Sequence, residues 1–152
     1  ALATAAHQGH LEVLKVLLAA KAPLHVENRQ SQTPLMLAAD AGHLDVVQFL
    51  IDAGADLDAY EADGFTALAI AASTGLTDIV RVLVAANAAL DVCNHVGETA
   101  LVAAAAGGHT DVVRVLLDAG ADTDIANKDG VTALDVAVAD NHTDIINMLR
   151  KN

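Results

Sequence analysis

The stretch TPLMLAADAGHLDVVQFLI, residues 33–51, returns as TALAIAASTGLTDIVRVLV when the frame moves forward by 33 residues. The next step gives TALVAAAAGGHTDVVRVLL at residues 99–117, and the one after it gives TALDVAVADNHTDIINML from residue 132. Residues 1–18, ALATAAHQGHLEVLKVLL, match the same pattern entered late. A fixed period of about 20 to 50 residues indicates one small structural unit stacked on copies of itself.

Each copy predicts two short helices with a break between them. Thr33 is expected to cap the first helix and Pro34 to be its first residue. The break falls at Gly42-His43, and Asp45 then lies in the first turn of the second helix, where a carboxylate favours the positive end of the helix dipole. Helices this short are marginally stable alone in water, so stacking must stabilise them.

Several local signals vary between the copies. Threonines that directly precede the first-turn acids are expected to be N-caps of second helices: Thr77, Thr110 and Thr143. Lys21 stands where other copies have Gly or Asn in a left-handed position, so the first connection is predicted to differ. Ser31 stands where the others have glycine; if those glycines have positive φ, either Ser31 is slightly strained or its tip is reshaped.

The pattern resembles the ankyrin repeat, whose signature is a period of 33 residues and T-P-L-H-x-A. The resemblance rests on the TPL or TAL start, the mid-repeat Gly-His, the apolar pair before GAD, and the turns Asp63-Gly64 and Asp129-Gly130. It implies an all-α repeat solenoid of stacked helix-turn-helix units with short β-hairpin-like loops. The signature histidine is replaced in every copy, so its hydrogen bonds are expected to be lost; the residues found there are Met36, Ala69, Val102 and Asp135.

The register divides the chain into one domain, residues 1–152, with repeats at 1–27 (partial), 28–60, 61–93, 94–126 and 127–152. The last repeat is polar at Asp135, Asn147 and Arg150, which predicts a C-terminal cap because terminal repeats need a polar outer face. The first repeat shows no such face, so further repeats or a cap are expected upstream.

Composition limits the function. Apolar residues make up 54% of the chain and aromatic residues only 2%, so the core is expected to consist of Ala, Leu and Val, with no room for a large cofactor. The net charge of −12 disfavours a nucleic-acid partner and is compatible with a basic one. No apolar run approaches the roughly 20 residues that span a bilayer, so membrane insertion is not expected. The single cysteine, Cys93, fits a cytoplasmic or other intracellular compartment.

Side chains that could carry chemistry do not form a convincing set. The ladder His10, His43, His109 and His142 puts one imidazole in each layer, which predicts backbone hydrogen bonds rather than a metal site. Asp56–Asp58 and Asp122–Asp124 begin like a calcium loop but lack its later ligands. Cys93 and His95 lack an orienting third group. No catalytic, cofactor-binding or metal-binding residue is therefore expected.

What remains is the surface formed by the hairpin tips and the first helices, where partners usually bind in the family that the chain resembles. Residues that differ between repeats are free to contact a partner. The candidates are Arg29, Gln30, Gln32, Asp40, Tyr60, Ala62, Asp63, Phe65, Ser73, Thr74, His95, Val96, Glu98, Lys128, Asp129 and Val131. Tyr60 and Phe65 are the strongest, since aromatic residues are enriched among binding hot spots. Packing of Phe65 against the neighbouring hairpin is the alternative; for a binding role, Phe65→Ala is expected to leave the melting temperature almost unchanged.

The interpretation is a non-enzymatic, monomeric scaffold that binds a protein or peptide. Two alternatives stay open: a targeting or regulatory module from a larger enzyme or channel, and an engineered binder. The copies differ at many positions, which favours a natural origin over a consensus design.

Overall fold

The computed structural model describes residues 1–151, and over this range the chain forms ten α-helices arranged as five antiparallel pairs. The first pair is α1 (Leu2–His7) and α2 (Leu11–Ala19). The later pairs are α3 (Pro34–Asp40) with α4 (Leu44–Asp52), α5 (Ala67–Ser73) with α6 (Thr77–Ala85), α7 (Ala100–Ala106) with α8 (Thr110–Asp118), and α9 (Ala133–Ala139) with α10 (Thr143–Arg150). Each helix contacts its counterpart in the next repeat, which confirms the all-α stacked solenoid.

The first helices begin as the sequence predicts. The Thr33 hydroxyl accepts a hydrogen bond from the Met36 amide at 3.3 Å, and Pro34 is the first helical residue. Thr66, Thr99 and Thr132 cap their helices in the same way. Each cap satisfies an amide that would otherwise lack a partner at the helix start.

The prediction for the second helices is wrong in one respect. Thr77, Thr110 and Thr143 are not caps but the first residues of their helices. The break is tight, since Gly75 has φ of 74° and its carbonyl accepts the Thr77 amide at 3.0 Å. Leu76 therefore occupies the cap position, and α6 begins at Thr77, one residue earlier than predicted. Acids do occupy the first turn of all the second helices, as predicted: Glu12, Asp45, Asp78, Asp111 and Asp144.

The core follows the repeat register. Alanine pairs such as Ala38–Ala39 and Ala71–Ala72 are fully buried between first helices, and leucines such as Leu50 and Leu83 fill the space between the helices of neighbouring repeats. Because alanine lets helix axes approach closely, the first helices pack against one another more extensively than the second helices do.

Backbone geometry overrides local preference at two positions. Lys21 adopts φ of 62°, and its amide bonds Leu18 as Gly54 bonds Ile51, so the prediction of a different first connection is wrong. Ser31 adopts φ of 59°, in line with the positive φ of the glycines at that position. Local main-chain bonds accompany this geometry at both residues, from the Lys21 amide to the Leu18 carbonyl and from the Ser31 amide to the Asn28 carbonyl, in a region that L-residues rarely adopt.

In two repeats, the residue that replaces the signature histidine still accepts a hydrogen bond. The Thr132 amide donates to an Asp135 carboxylate oxygen at 2.8 Å, and the Thr33 amide approaches the Met36 sulfur at 3.5 Å. The expected loss is therefore wrong at these two copies, because a carboxylate and a thioether can both accept the bond. Ala69 and Val102 carry no acceptor and are buried.

Candidate partner-binding surface

The hairpin tips share one internal hydrogen-bond pattern. The Asn28 side-chain oxygen accepts the amides of Gln30 and Gln32 at 2.9 and 3.0 Å. Glu61, Asn94 and Asn127 close their tips in the same way. The main chain closes each tip too, as in the bond from the Glu61 amide to the Phe65 carbonyl at 3.0 Å. Each tip is thus a hairpin-like turn of fixed shape, as the resemblance implied.

Backbone bonds also join one tip to the next. The Ala62 amide donates to the Gln30 carbonyl at 3.0 Å, and the His95 amide donates to the Asp63 carbonyl at 3.0 Å. The Lys128 amide completes the series with the Val96 carbonyl at 3.0 Å. We call residues 28–32, 61–65, 94–98 and 127–131 the tip row. Its main chain is committed to the stack, so only its side chains can distinguish partners.

The close approach of neighbouring tips explains why residue 64 is a glycine. A Cβ on Gly64, which has φ of 90°, would lie 2.9 Å from the His95 amide nitrogen and 3.0 Å from the Asn94 Cα. No side chain fits between these backbones. The Asp-Gly pair at residues 63 and 64 is therefore required by the inter-tip bonds as well as by the turn.

Most of the candidate side chains are exposed to solvent. These are Arg29, Gln30, Asp40, Tyr60, Ala62, Asp63, Ser73, Thr74, His95, Val96, Lys128 and Asp129. The others are half-buried and all occupy the last position of a tip: Gln32, Phe65, Glu98 and Val131. Phe65 packs against the hydrophobic core, so removing it must cost stability. The expectation of an almost unchanged melting temperature is revised accordingly.

The structure brings three candidates together in an open groove of about 400 Å³. Gln30 and Gln32 form its wall on the tip side, and Asp40 lies at the end of α3. The remaining lining residues are Ala3, Thr4, His7, Asn28 and Leu37. Candidates at the other end of the surface, such as Lys128, lie outside this groove.

The sequence analysis missed Thr4, His7 and Leu37 as surface candidates. The repeat register could have found them, since His7 is the counterpart of Asp40 and Ser73, and Thr4 is the counterpart of Leu37. Thr4 and His7 belong to the partial first repeat, and Leu37 is an apolar residue at a helix position that the register assigns to packing.

Tyr60 and His95 line a second groove of about 270 Å³ together with Gly64, Val92 and Cys93. Tyr60 is 62% exposed and Val96, in the next tip, is 52% exposed. Large apolar side chains that stay this accessible in a chain poor in aromatic residues are available for contact with a partner.

Two imidazoles of the histidine ladder lie within hydrogen-bond distance of backbone carbonyl oxygens. His43 Nε2 lies 3.0 Å from the His7 carbonyl oxygen, and His109 Nε2 lies 3.0 Å from the Ser73 carbonyl oxygen. These contacts confirm the predicted backbone hydrogen bonds for His43 and His109. Each imidazole joins the start of a second helix to the end of the first helix in the preceding repeat.

The acidic loops are engaged with amides. Asp56 accepts the Asp58 amide at 3.0 Å, and Asp58 accepts the Ala89 amide of the next repeat at 2.8 Å. Asp91 likewise accepts the Asp122 amide at 3.0 Å. Across residues 1–151 no group of three or more His, Cys, Asp or Glu side chains could hold a metal ion.

Hydrogen bonds shift the titration of one carboxylate. The Thr132 amide, and after it the Thr132 hydroxyl, hold the pKa of Asp135 below its ordinary value of 3.8, against a small opposing effect of burial. Asp135 therefore caps α9 in its ionised form.

Comparison with known families identifies the repeats. A family model described as ankyrin repeats in three copies matches residues 2–92 and 84–152. Comparison with curated proteins gives no match. In the described part of the chain, every helix is too short or too polar to cross a bilayer.

Proposed function

Because this chain belongs to the ankyrin-repeat family, whose members are in general protein–protein interaction modules, we propose that it is a non-enzymatic scaffold that binds a partner protein or peptide. The proposed contact surface is the tip row together with the exposed C-terminal ends of the first helices. Together with Tyr60, which directly precedes the second tip, this surface contains all the candidate residues named above.

The inter-tip hydrogen bonds carry the proposal. They fix the main chain of every tip, from Gln30 to Lys128, while the side chains attached to it differ from repeat to repeat. A rigid backbone that presents varied side chains lowers the entropy lost on binding. Within residues 1–151 the loops that follow the second helices are joined between repeats by side-chain bonds, such as Asp58 to the Ala89 amide, and not by bonds between main-chain groups.

The charge of this surface supports a basic partner. Apart from the buried Glu61, this surface carries five carboxylates and two bases: Asp40, Asp63, Glu98, Asp129 and Asp140, and Arg29 and Lys128. A field of this sign attracts cationic partners and raises their association rate. We also propose a monomer in a reducing intracellular compartment, supported by the single cysteine, which has no second thiol in the chain to pair with.

The test compares two exposed apolar side chains on opposite sides of the stack. Tyr60, directly before the second tip, is 62% exposed, and Val16 on α2 is 68% exposed. Partners captured by the wild-type protein would be identified by mass spectrometry, and their dissociation constants measured for Tyr60→Ala and Val16→Ala. Tyr60→Ala should weaken binding by about 2 kcal/mol, roughly thirtyfold, as expected for a hot spot.

Val16→Ala should leave the dissociation constant unchanged. A partner whose affinity responds to Val16→Ala and not to Tyr60→Ala would place the contact on the second helices and refute the proposed surface.

A further inference from the structure

The groove beside the first tip differs from the rest of the surface in its charge. Asp40 lines it, and no lysine or arginine does so within residues 1–151. Asp40 is exposed and takes part in no ion pair in that part of the chain, where the observed pairs are Lys15–Glu12 and Arg114–Asp111 on second helices. The groove thus holds a carboxylate without a counter-ion.

The position of Asp40 is unfavourable for the isolated fold. It is the last residue of α3, where the carbonyl ends of the helix dipole already give a negative potential. Its counterparts in the other repeats carry no acid: His7, Ser73, Ala106 and Ala139. Acids also stand at the ends of second helices, at Asp52 and Asp118, and Asp140 directly follows α9. Within residues 1–151, Asp40 is the acid at the last position of a first helix, and it is the one that lines this groove.

The end of α3 adds to the negative potential of the groove. α1 ends at His7 and α3 ends at Asp40, and both residues line the groove. The His7 carbonyl already lies 3.0 Å from the His43 imidazole, so a cation bound here would be stabilised by the carbonyl end of α3 and by the Asp40 carboxylate.

The remaining lining fits a long cationic side chain. Leu37 and Ala3 give apolar surface for the methylene groups of a lysine or arginine stem. The Thr4 hydroxyl and the Gln30 amide oxygen can accept further hydrogen bonds from the charged head. The Gln32 side-chain oxygen is already bonded by the Asn28 amide group at 2.9 Å, so it shapes the wall instead.

We propose that this groove binds a lysine or arginine side chain of an extended partner segment, with the Asp40 carboxylate as its counter-ion. The inference rests on the proposed function, since it specifies the chemistry of one site on the same surface. The partner must then carry a lysine or arginine where it contacts the second repeat.

The test is a selection of random twelve-residue peptides displayed on phage against the wild-type protein. Binding of the recovered peptides, synthesised with a fluorophore, is measured by anisotropy. Each basic residue is replaced by uncharged citrulline or norleucine, and contact sites are mapped from amide shifts in ¹H–¹⁵N spectra. Two protein variants accompany the wild type, Asp40→Ser and Asp118→Ser.

Asp118 is the matched control. It is an exposed carboxylate at the last residue of α8, as Asp40 is at the last residue of α3, but it lies among the second helices. Both substitutions remove one charge and one unfavourable helix-end interaction, so both should leave the melting temperature unchanged or slightly higher. Only Asp40→Ser removes the proposed counter-ion.

The selected peptides are expected to contain lysine or arginine. Neutral replacement of one of these basic residues should weaken peptide binding at least about tenfold, and Asp40→Ser should weaken binding of the unchanged peptide as much. Asp118→Ser should change the affinity by less than about twofold.

Peptides that shift tip-row amides yet respond neither to neutral replacement nor to Asp40→Ser would overturn the inference and leave the proposed surface standing. A selection without any binding peptide would also overturn it, and the capture experiment with Tyr60→Ala would then decide the proposed function separately.

Discussion

The packing between repeats can be tested at one register position with two different environments. Leu83 is fully buried between neighbouring repeats, whereas Leu17, its counterpart in the first repeat, is only half-buried. Leu→Ala removes the same atoms at both positions. At Leu83 the loss should be about 3 kcal/mol, from lost transfer free energy and the cavity that remains.

At Leu17 part of the side chain already contacts water, and a cavity there is open to solvent. The loss should therefore be roughly half as large, about 1.5 kcal/mol. For a chain of this length, about 3 kcal/mol corresponds to a fall in the melting temperature of roughly 6 to 12 °C.

Urea unfolding followed by far-ultraviolet circular dichroism measures both free energies of unfolding. Since long repeat arrays can unfold in steps, the two variants and the wild type should be compared with a nearest-neighbour repeat fit as well as a two-state fit. Equal losses at Leu17 and Leu83, or a loss below about 1 kcal/mol at Leu83, would refute the packing described here.

Three other substitutions test local features. Lys21→Gly should stabilise the protein by about 0.5–1 kcal/mol in urea unfolding, because glycine relieves the strain of positive φ; a destabilised variant would contradict this. Asp135→Asn should lower stability at neutral pH. The Asp135 pKa is depressed in the folded state, so its contribution is present above the unfolded value and lost as pH falls through the folded value; wild type and variant should therefore converge in acid, and a constant gap from neutral to acid pH would count against it. Phe65→Ala should weaken partner binding by about 2 kcal/mol and also cost about 1–2 kcal/mol of unfolding free energy, because the ring is half-buried; titration calorimetry and urea unfolding separate the two effects, and unaltered binding would assign Phe65 to packing alone.

Much of the fold could be predicted because packing repeats with the sequence. The alanine pairs, such as Ala38–Ala39, and the register leucines, such as Leu50, are buried where the period places them. Thr33 caps its helix for a reason visible in the sequence, since a hydroxyl there precedes a proline and an apolar run. These features depend on the identity of side chains, which can be read directly from the sequence.

The features that could not be predicted depend on the main chain. The bonds from one tip to the next, such as Ala62 to Gln30, join backbone groups more than thirty residues apart and leave no pattern of side chains. The main-chain bonds that end α2 outweigh the local preference of Lys21. The backbone turn at Gly75 places Leu76 at the cap position of α6, so that the helix begins at Thr77.

The candidate surface was predicted in part for the same reason. Exposure at Tyr60 and Asp40 follows from the register, but the meeting of Asp40 with Thr4 and Gln30 in one groove needs the relative positions of three elements. The half-buried state of Phe65 likewise depends on how its tip lies against the first helices.

The most direct test of the central claim is hydrogen–deuterium exchange of the protein with and without a bound partner. The account predicts slower exchange in residues 28–32, 61–65 and 94–98 and at the ends of α3 and α5, with α4, α6 and α8 unchanged. Protection of the second helices with the tip row unaffected would contradict it.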